Sequence, residues 1–96
     1  MKFLAIEKEV KGNAEKSFDP HLRAEAEKVW QYYKKGFIRE IYFTKESHEA
    51  VIVLECGSKK EAEEHLNSFP LVKAGLITFS IEELVPYDGF DRLFRS

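Results

Sequence analysis

His21 and Glu25 stand four residues apart in a segment of helical pattern, which sets the two side chains one turn apart on one face. An imidazole titrates near neutral pH and a neighbouring carboxylate can orient it, so the pair suits proton transfer at the mouth of a pocket. The same spacing also describes a solvated ion pair on a helix surface, and the sequence leaves both readings open. A second group lies in Ile38-Arg39-Glu40-Ile41-Tyr42-Phe43, which has strand character. Arg39 carries a planar guanidinium that holds a carboxylate through two parallel hydrogen bonds; half of a buried ion pair between subunits is its other use. Glu40 and Tyr42 share the strand face opposite Arg39 because side chains alternate. The Tyr42 hydroxyl can serve a developing enolate oxygen or simply the polar tip of a core ring. With His21 as base, Glu25 as its orienter, Arg39 as anion clamp and Tyr42 as donor, the chemistry is removal of a proton beside a carbonyl. Trp30 and Tyr33 would line such a pocket with aromatic surface, and Glu40 would meet the substrate from the strand.

The elements that must position these groups follow from pattern. Lys2 to about Val10 opens with the apolar run Phe3-Leu4-Ala5-Ile6 before charges take over, which predicts a strand buried on both faces in its first half. Lys11 to Phe18 reads as a loop. Asp19-Pro20 then predicts a helix start, since Asp accepts a backbone N–H at the N-cap and Pro loses no useful donor at the first position. Leu22, Ala26, Val29 and Tyr33 form an apolar stripe, with His21, Glu25 and Tyr32 along one edge and Trp30 on the other. Lys34-Lys35-Gly36 ends the helix with two cations at the negative end of its dipole and a glycine for the left-handed cap. Phe37–Thr44 and Ala50–Cys56 predict two strands joined by a polar loop longer than a two-residue turn, in which His48 reads as solvated. Ser58-Lys59-Lys60-Glu61 is a capping box opening a helix that turns Ala62 and Leu66 inward and stops before Pro70. Leu76 to about Val85 is the last strand, followed by a tail rich in apolar residues.

Composition bounds the class. At 96 residues the chain, 1–96, is one domain, and a domain of this size buries roughly two-thirds of its unfolded surface. Fifteen Lys and Arg against 17 Asp and Glu, net −2 and interspersed, argue against the concentrated basic face that nucleic acid needs. The single cysteine, Cys56, excludes an internal disulfide, the apolar run at the amino terminus is too short for a signal peptide, and no stretch resembles a membrane span. A cytoplasmic protein is the expectation. His21 with Glu25, and Glu61 with His65, have helical ligand spacing, but no third group converges on either, so no metal is expected. No glycine-rich phosphate cradle or nucleophile triad is present, and no cofactor is expected.

The order β-α-β-β-α-β is the split βαβ pattern of an α+β ferredoxin-like domain. The third strand alternates Val51 and Val53 with Ile52 and Leu54, and the fourth alternates Leu76 with Ile77, Phe79 and Ile81, so both sheet faces read as apolar. Helices cover one face; a second copy covering the other would make a dimeric α/β barrel. Trp30 with Tyr32-Tyr33, Gly36-Phe37-Ile38-Arg39-Glu40, Ala50-Val51-Ile52-Val53-Leu54-Glu55, Phe69-Pro70-Leu71-Val72 and Leu84-Val85-Pro86-Tyr87 together resemble the small proteins grouped with muconolactone isomerases. The resemblance implies a ferredoxin-like sandwich forming a dimeric α/β barrel, a homodimer or higher homo-oligomer. It also implies cofactor-independent isomerisation of a small anionic cyclic or aromatic-derived compound. It assigns no catalytic residue, because only Arg39 has a counterpart in the second strand of those isomerases, which carries a His and a second Arg. The alternative class is a non-catalytic small-ligand-binding or assembly module, its pocket filled by Trp30, Tyr33 and Phe side chains.

Overall fold

The computed structural model describes residues 1–11 and 17–95; most of the predicted first loop lies outside them. The chain forms β1 (Lys2–Glu9), α1 (Leu22–Lys34), β2 (Ile38–Phe43), β3 (Ala50–Glu55), α2 (Lys59–Asn67), a single-turn α3 (Pro70–Lys73) and β4 (Ile77–Leu84). Short 3₁₀ turns precede α1 at Asp19–His21 and follow β4 at Gly89–Leu93. The four strands make one antiparallel sheet in the order β2-β3-β1-β4. This is the ferredoxin-like arrangement, with the helices on one face.

The predicted boundaries shift where local bonding competes with the pattern. Asp19-Pro20 starts a 3₁₀ turn rather than α1, because His21 N–H donates to the Phe18 carbonyl at 2.9 Å and closes a tighter ring. Gly36, at φ +83°, ends α1 as expected, in a conformation that only glycine adopts without strain. At α2 the Glu61 N–H donates to Ser58 Oγ at 3.1 Å, while the Glu61 carboxylate accepts from the Gly57 N–H at 3.2 Å. The reciprocal half of the box therefore falls one residue early.

The core is asymmetric. Phe3, Ala5, Ile52, Leu54, Ile38, Leu66 and Phe69 are fully buried between the sheet and α2. Helix α1 joins this core through Tyr32, not Tyr33: Tyr32 is 7% exposed and Tyr33 49%. The Tyr32 and Ser68 hydroxyls lie 2.7 Å apart in a hydrogen bond, and the ring stacks edge-on to Phe37 at 5.3 Å and lies 5.8 Å from Phe69. A buried tyrosine whose hydroxyl is satisfied outcompetes a purely apolar stripe, so α1 is rotated by about one residue from the predicted face. Leu22 and Ala26 remain exposed on its flank.

The outer face of the sheet is less apolar than predicted. Leu4, Ile6, Val51 and Val53 form its centre, but β4 turns Thr78, Ser80 and Glu82 outward, and Leu76 lies buried before the strand begins. Beyond β4 the chain leaves the body: its longest extent is 61 Å against 28 and 23 Å, and its radius of gyration is 15.9 Å. A compact chain of this length has a radius of about 12–13 Å.

Phe69 joins α1, α3 and the sheet, touching Tyr32 and, at 5.9 Å, Phe79. Phe69→Ala should cost about 3–5 kcal/mol in urea denaturation. A loss below about 1 kcal/mol would place it outside the core.

Candidate functional site

The N-terminal half of α1 stands off from the sheet and leaves an open cavity of about 1240 Å³. Its apolar walls include Val29 and Trp30 from α1, Ile52 and Phe79 from the sheet, and Phe69. Trp30 and Tyr33 stack nearly parallel at one edge, with ring centres 6.1 Å apart.

Two glutamates face each other across this gap. Glu25, one turn into α1, accepts the Leu71 N–H at 2.9 Å. That amide sits in the first turn of α3, whose N-cap residue Phe69 offers no side-chain acceptor, so Glu25 caps α3 from another helix. Glu7 lies on the helix-facing side of β1 just past the point where its ladder with β3 ends at Ile6 and Val51. Its carboxylate accepts the next amide of β3, Ala50 N–H, at 3.1 Å. Burial pushes both carboxyls above the ordinary glutamate value. The amide bonds oppose this, and the neighbouring acids add to it: Glu49 and Glu9 at Glu7, and Glu7 itself at Glu25.

Of the residues predicted for the site, Glu25, Trp30, Tyr33, Arg39, Glu40 and Tyr42 line the cavity. His21 does not: it sits in the 3₁₀ turn ahead of α1, and among the described residues no hydrogen bond or ion pair joins it to Glu25, whose Oε1 takes the Leu71 amide. Arg39 and Glu40 do not simply alternate. Ile38 pairs with Leu54 and Glu40 with Val53, so Arg39 is the extra residue of a β-bulge. Its Nε–H donates to the Gly36 carbonyl at 2.6 Å, and the rest of the exposed guanidinium points free of any acidic side chain among the described residues. Tyr42 donates its hydroxyl to Glu40 at 2.7 Å, a bond that raises the phenol above its ordinary value and occupies the predicted donor.

One cavity residue, Glu7, escapes sequence reasoning: it belongs to the charged end of β1, where alternation of Glu and Lys reads as solvent-exposed. His48 is exposed, as its loop position predicts, and stacks on Phe43 with ring centres 4.0 Å apart and planes 15° apart, at a backbone φ of +54°. Among the described residues no three His, Cys, Asp or Glu side chains converge as a metal site, and no helix is long and apolar enough to cross a membrane. Cys56 donates to the Ser58 carbonyl at 3.3 Å and its thiol is raised by burial, an inert arrangement.

No family model matches the sequence, and no curated protein matches it. Among solved structures the fold aligns with 5-chloro-2-hydroxyhydroquinone dehydrochlorinase from Burkholderia phenoliruptrix AC1100, determined in complex with 2,5-dihydroxybenzoquinone. The TM-score is 0.72 over 93% of this chain and 98% of that one, at 19% identity. The likeness shows the fold alone, a ferredoxin-like α+β domain.

Because Glu25 is easier to protonate folded than unfolded, the folded state holds more protons just above pH 4.5, and stability falls as pH rises through that window. Glu25→Gln keeps an acceptor for Leu71 and removes the charge. Its melting temperature should exceed wild type at pH 7 and match it below about pH 4. A variant destabilised equally at both pH values would contradict the desolvated carboxylate.

Proposed function

We propose that the cavity is the active site of a cofactor-independent, isomerase-like enzyme that acts on a small cyclic or aromatic-derived compound. The observation that carries this reading is Glu25, a carboxylate raised by burial and aimed into an apolar cavity large enough for a single ring. A base of this kind takes a proton from carbon beside a carbonyl, leaving an enolate, and the resulting carboxylic acid returns the proton to another carbon of the conjugated system. The double bond moves, nothing is oxidised or reduced, and the base is regenerated. Arg39, on its bulge, faces the same space and stabilises the oxygen that gains charge; Tyr42 and Glu40, opposite Val51 and Val53 in the ladder, form a bonded pair on the outer side of the β2 edge and flank the mouth of the cavity. Trp30 and Tyr33 supply the flat apolar wall on which a ring stacks. His21 is left with a structural part in the turn before α1. The dehydrochlorinase of like fold, which by its name acts on a chlorinated hydroxyhydroquinone, agrees with a ring-sized guest.

The test is hydrogen–deuterium exchange at carbon in small cyclic ketones, lactones and dihydroxybenzenes, followed by NMR in D₂O. The protein should accelerate exchange in at least one class, and Glu25→Gln should lower the rate about a hundredfold or more while the fold is kept. Exchange no faster than buffer across the panel, or an unaffected variant, would contradict the reading.

The working unit we propose is a homodimer built through the outer sheet face. Leu4, Ile6, Val51 and Val53 give that face an apolar centre, and the tail adds Val85, Tyr87, Phe90, Leu93 and Phe94, each more than 60% exposed. Within one chain the tail does not cover its own cavity, so a second copy is the surface that suits it. Light scattering at micromolar concentration should give a dimer or a multiple of one. Truncation after Pro86 should lower the melting temperature or change oligomer size, and a stable full-length monomer would contradict the assembly.

A further inference from the structure

The cavity's charge is one-sided. Five glutamates are among its lining residues, Glu7, Glu9, Glu25, Glu40 and Glu49, against one arginine, Arg39; the Glu40 carboxylate is engaged by Tyr42 at the β2 edge. Lys8 approaches Glu49 only to 3.9 Å, and His48 is the other titratable group with basic character at the lining. The two carboxylates deepest in the gap are held in a particular way. Oε1 of Glu25 takes the Leu71 amide and Oε1 of Glu7 takes the Ala50 amide, which leaves Oε2 of each without a hydrogen-bond partner among the described residues. Each is anchored by one oxygen and offers the other as an acceptor.

From this geometry we infer that the guest of the cavity is an aromatic ring carrying hydrogen-bond donors, hydroxyl or ammonium, and no anionic group. The inference rests on the reading of the cavity as a small-molecule site and names its ligand class. It departs from the carboxylated substrate that the resemblance to muconolactone isomerases implies. A carboxylate entering this space would lose its hydration and meet several like charges, with one cation on the rim to offset them. A phenolic hydroxyl or an ammonium instead gives each free Oε2 the donor it lacks, in surroundings where such a bond is strengthened by low polarity. The Trp30 and Tyr33 rings favour a flat aromatic guest; the Lys34 ammonium already lies 5.6 Å from the Trp30 ring centre, so the preference for a cation comes from the carboxylates and not from that ring.

A matched series isolates the charge: resorcinol, 3-hydroxybenzylamine and 3-hydroxybenzoate share a ring and a hydroxyl and at pH 7 are neutral, cationic and anionic. Each is titrated into the full chain, with dissociation constants taken from NMR shifts of Val29, Ala50 and Phe79. Resorcinol and 3-hydroxybenzylamine should each bind at least about tenfold more tightly than 3-hydroxybenzoate, a difference of about 1.4 kcal/mol. The cation's advantage over the anion should shrink in high salt and in Glu7→Gln/Glu25→Gln; the salt arm alone reports on charge if that double variant fails to fold. Equal or tighter binding of 3-hydroxybenzoate overturns the charge inference and leaves the small-molecule site standing. No perturbation of the cavity residues by any of the three overturns both.

Discussion

The opening between α1 and the sheet depends on two carboxylates placed where an apolar layer would otherwise close. Glu7 projects from β1 and Glu25 from α1 into the same gap, and each is fixed there by a backbone amide, of Ala50 and Leu71. Bringing the N-terminal half of α1 down onto the sheet would strip water from both charges and press them together. That penalty runs to several kcal/mol per unpaired ion and exceeds what a few more buried methylenes return, at about 0.8 kcal/mol each. The layers therefore close at one end, around Tyr32, Phe37 and Phe69, and stay open at the other. The same two bonds tie the cavity to the fold: Glu25 caps the single turn of α3, and Glu7 continues the β1–β3 pairing after the ladder stops.

How much of this the sequence discloses depends on the length scale of the signal. The element order is legible because each element carries its own local mark: Gly36 after Lys34-Lys35, Ser58 three residues before Glu61, Pro70 after Phe69. Burial on α1 is less legible. Helical periodicity points to Leu22, Ala26, Val29 and Tyr33; Val29 does pack against the core, and the contacts of Tyr32 with Ser68, 36 residues on, and with Phe37 and Phe69 turn the helix by a position. His21 drew notice through its spacing to Glu25, yet spacing says nothing about the partner that Glu25 finds on α3.

The least legible residues are those whose role comes from the end of a ladder. Nothing in Ile6-Glu7-Lys8-Glu9 distinguishes Glu7 from a solvated charge, because its burial arises where β1 outlasts its pairing with β3. The bulge at Arg39 has no glycine to announce it, and it breaks the alternation that sequence reasoning assumes. The outer sheet face likewise read as more apolar than it is, since Leu76 precedes β4 and its exposed residues are Thr78, Ser80 and Glu82. What remains apolar outside the body is the centre of the two middle strands and the extended tail, which is why the assembly proposed for this chain involves both.

The open layer follows from the state of those two carboxyls, and their titration is the decisive measurement. Carbon-13 NMR of the Glu7 and Glu25 carboxyl groups, followed from pH 3 to 8 and assigned by Glu7→Gln and Glu25→Gln, reads each group in the intact fold. Both groups should titrate above 4.5, and removing the charge of Glu7 should move Glu25 back toward that value. Two independent titrations at or below 4.5 would mean solvated, uncoupled side chains, and the open layer would need another cause.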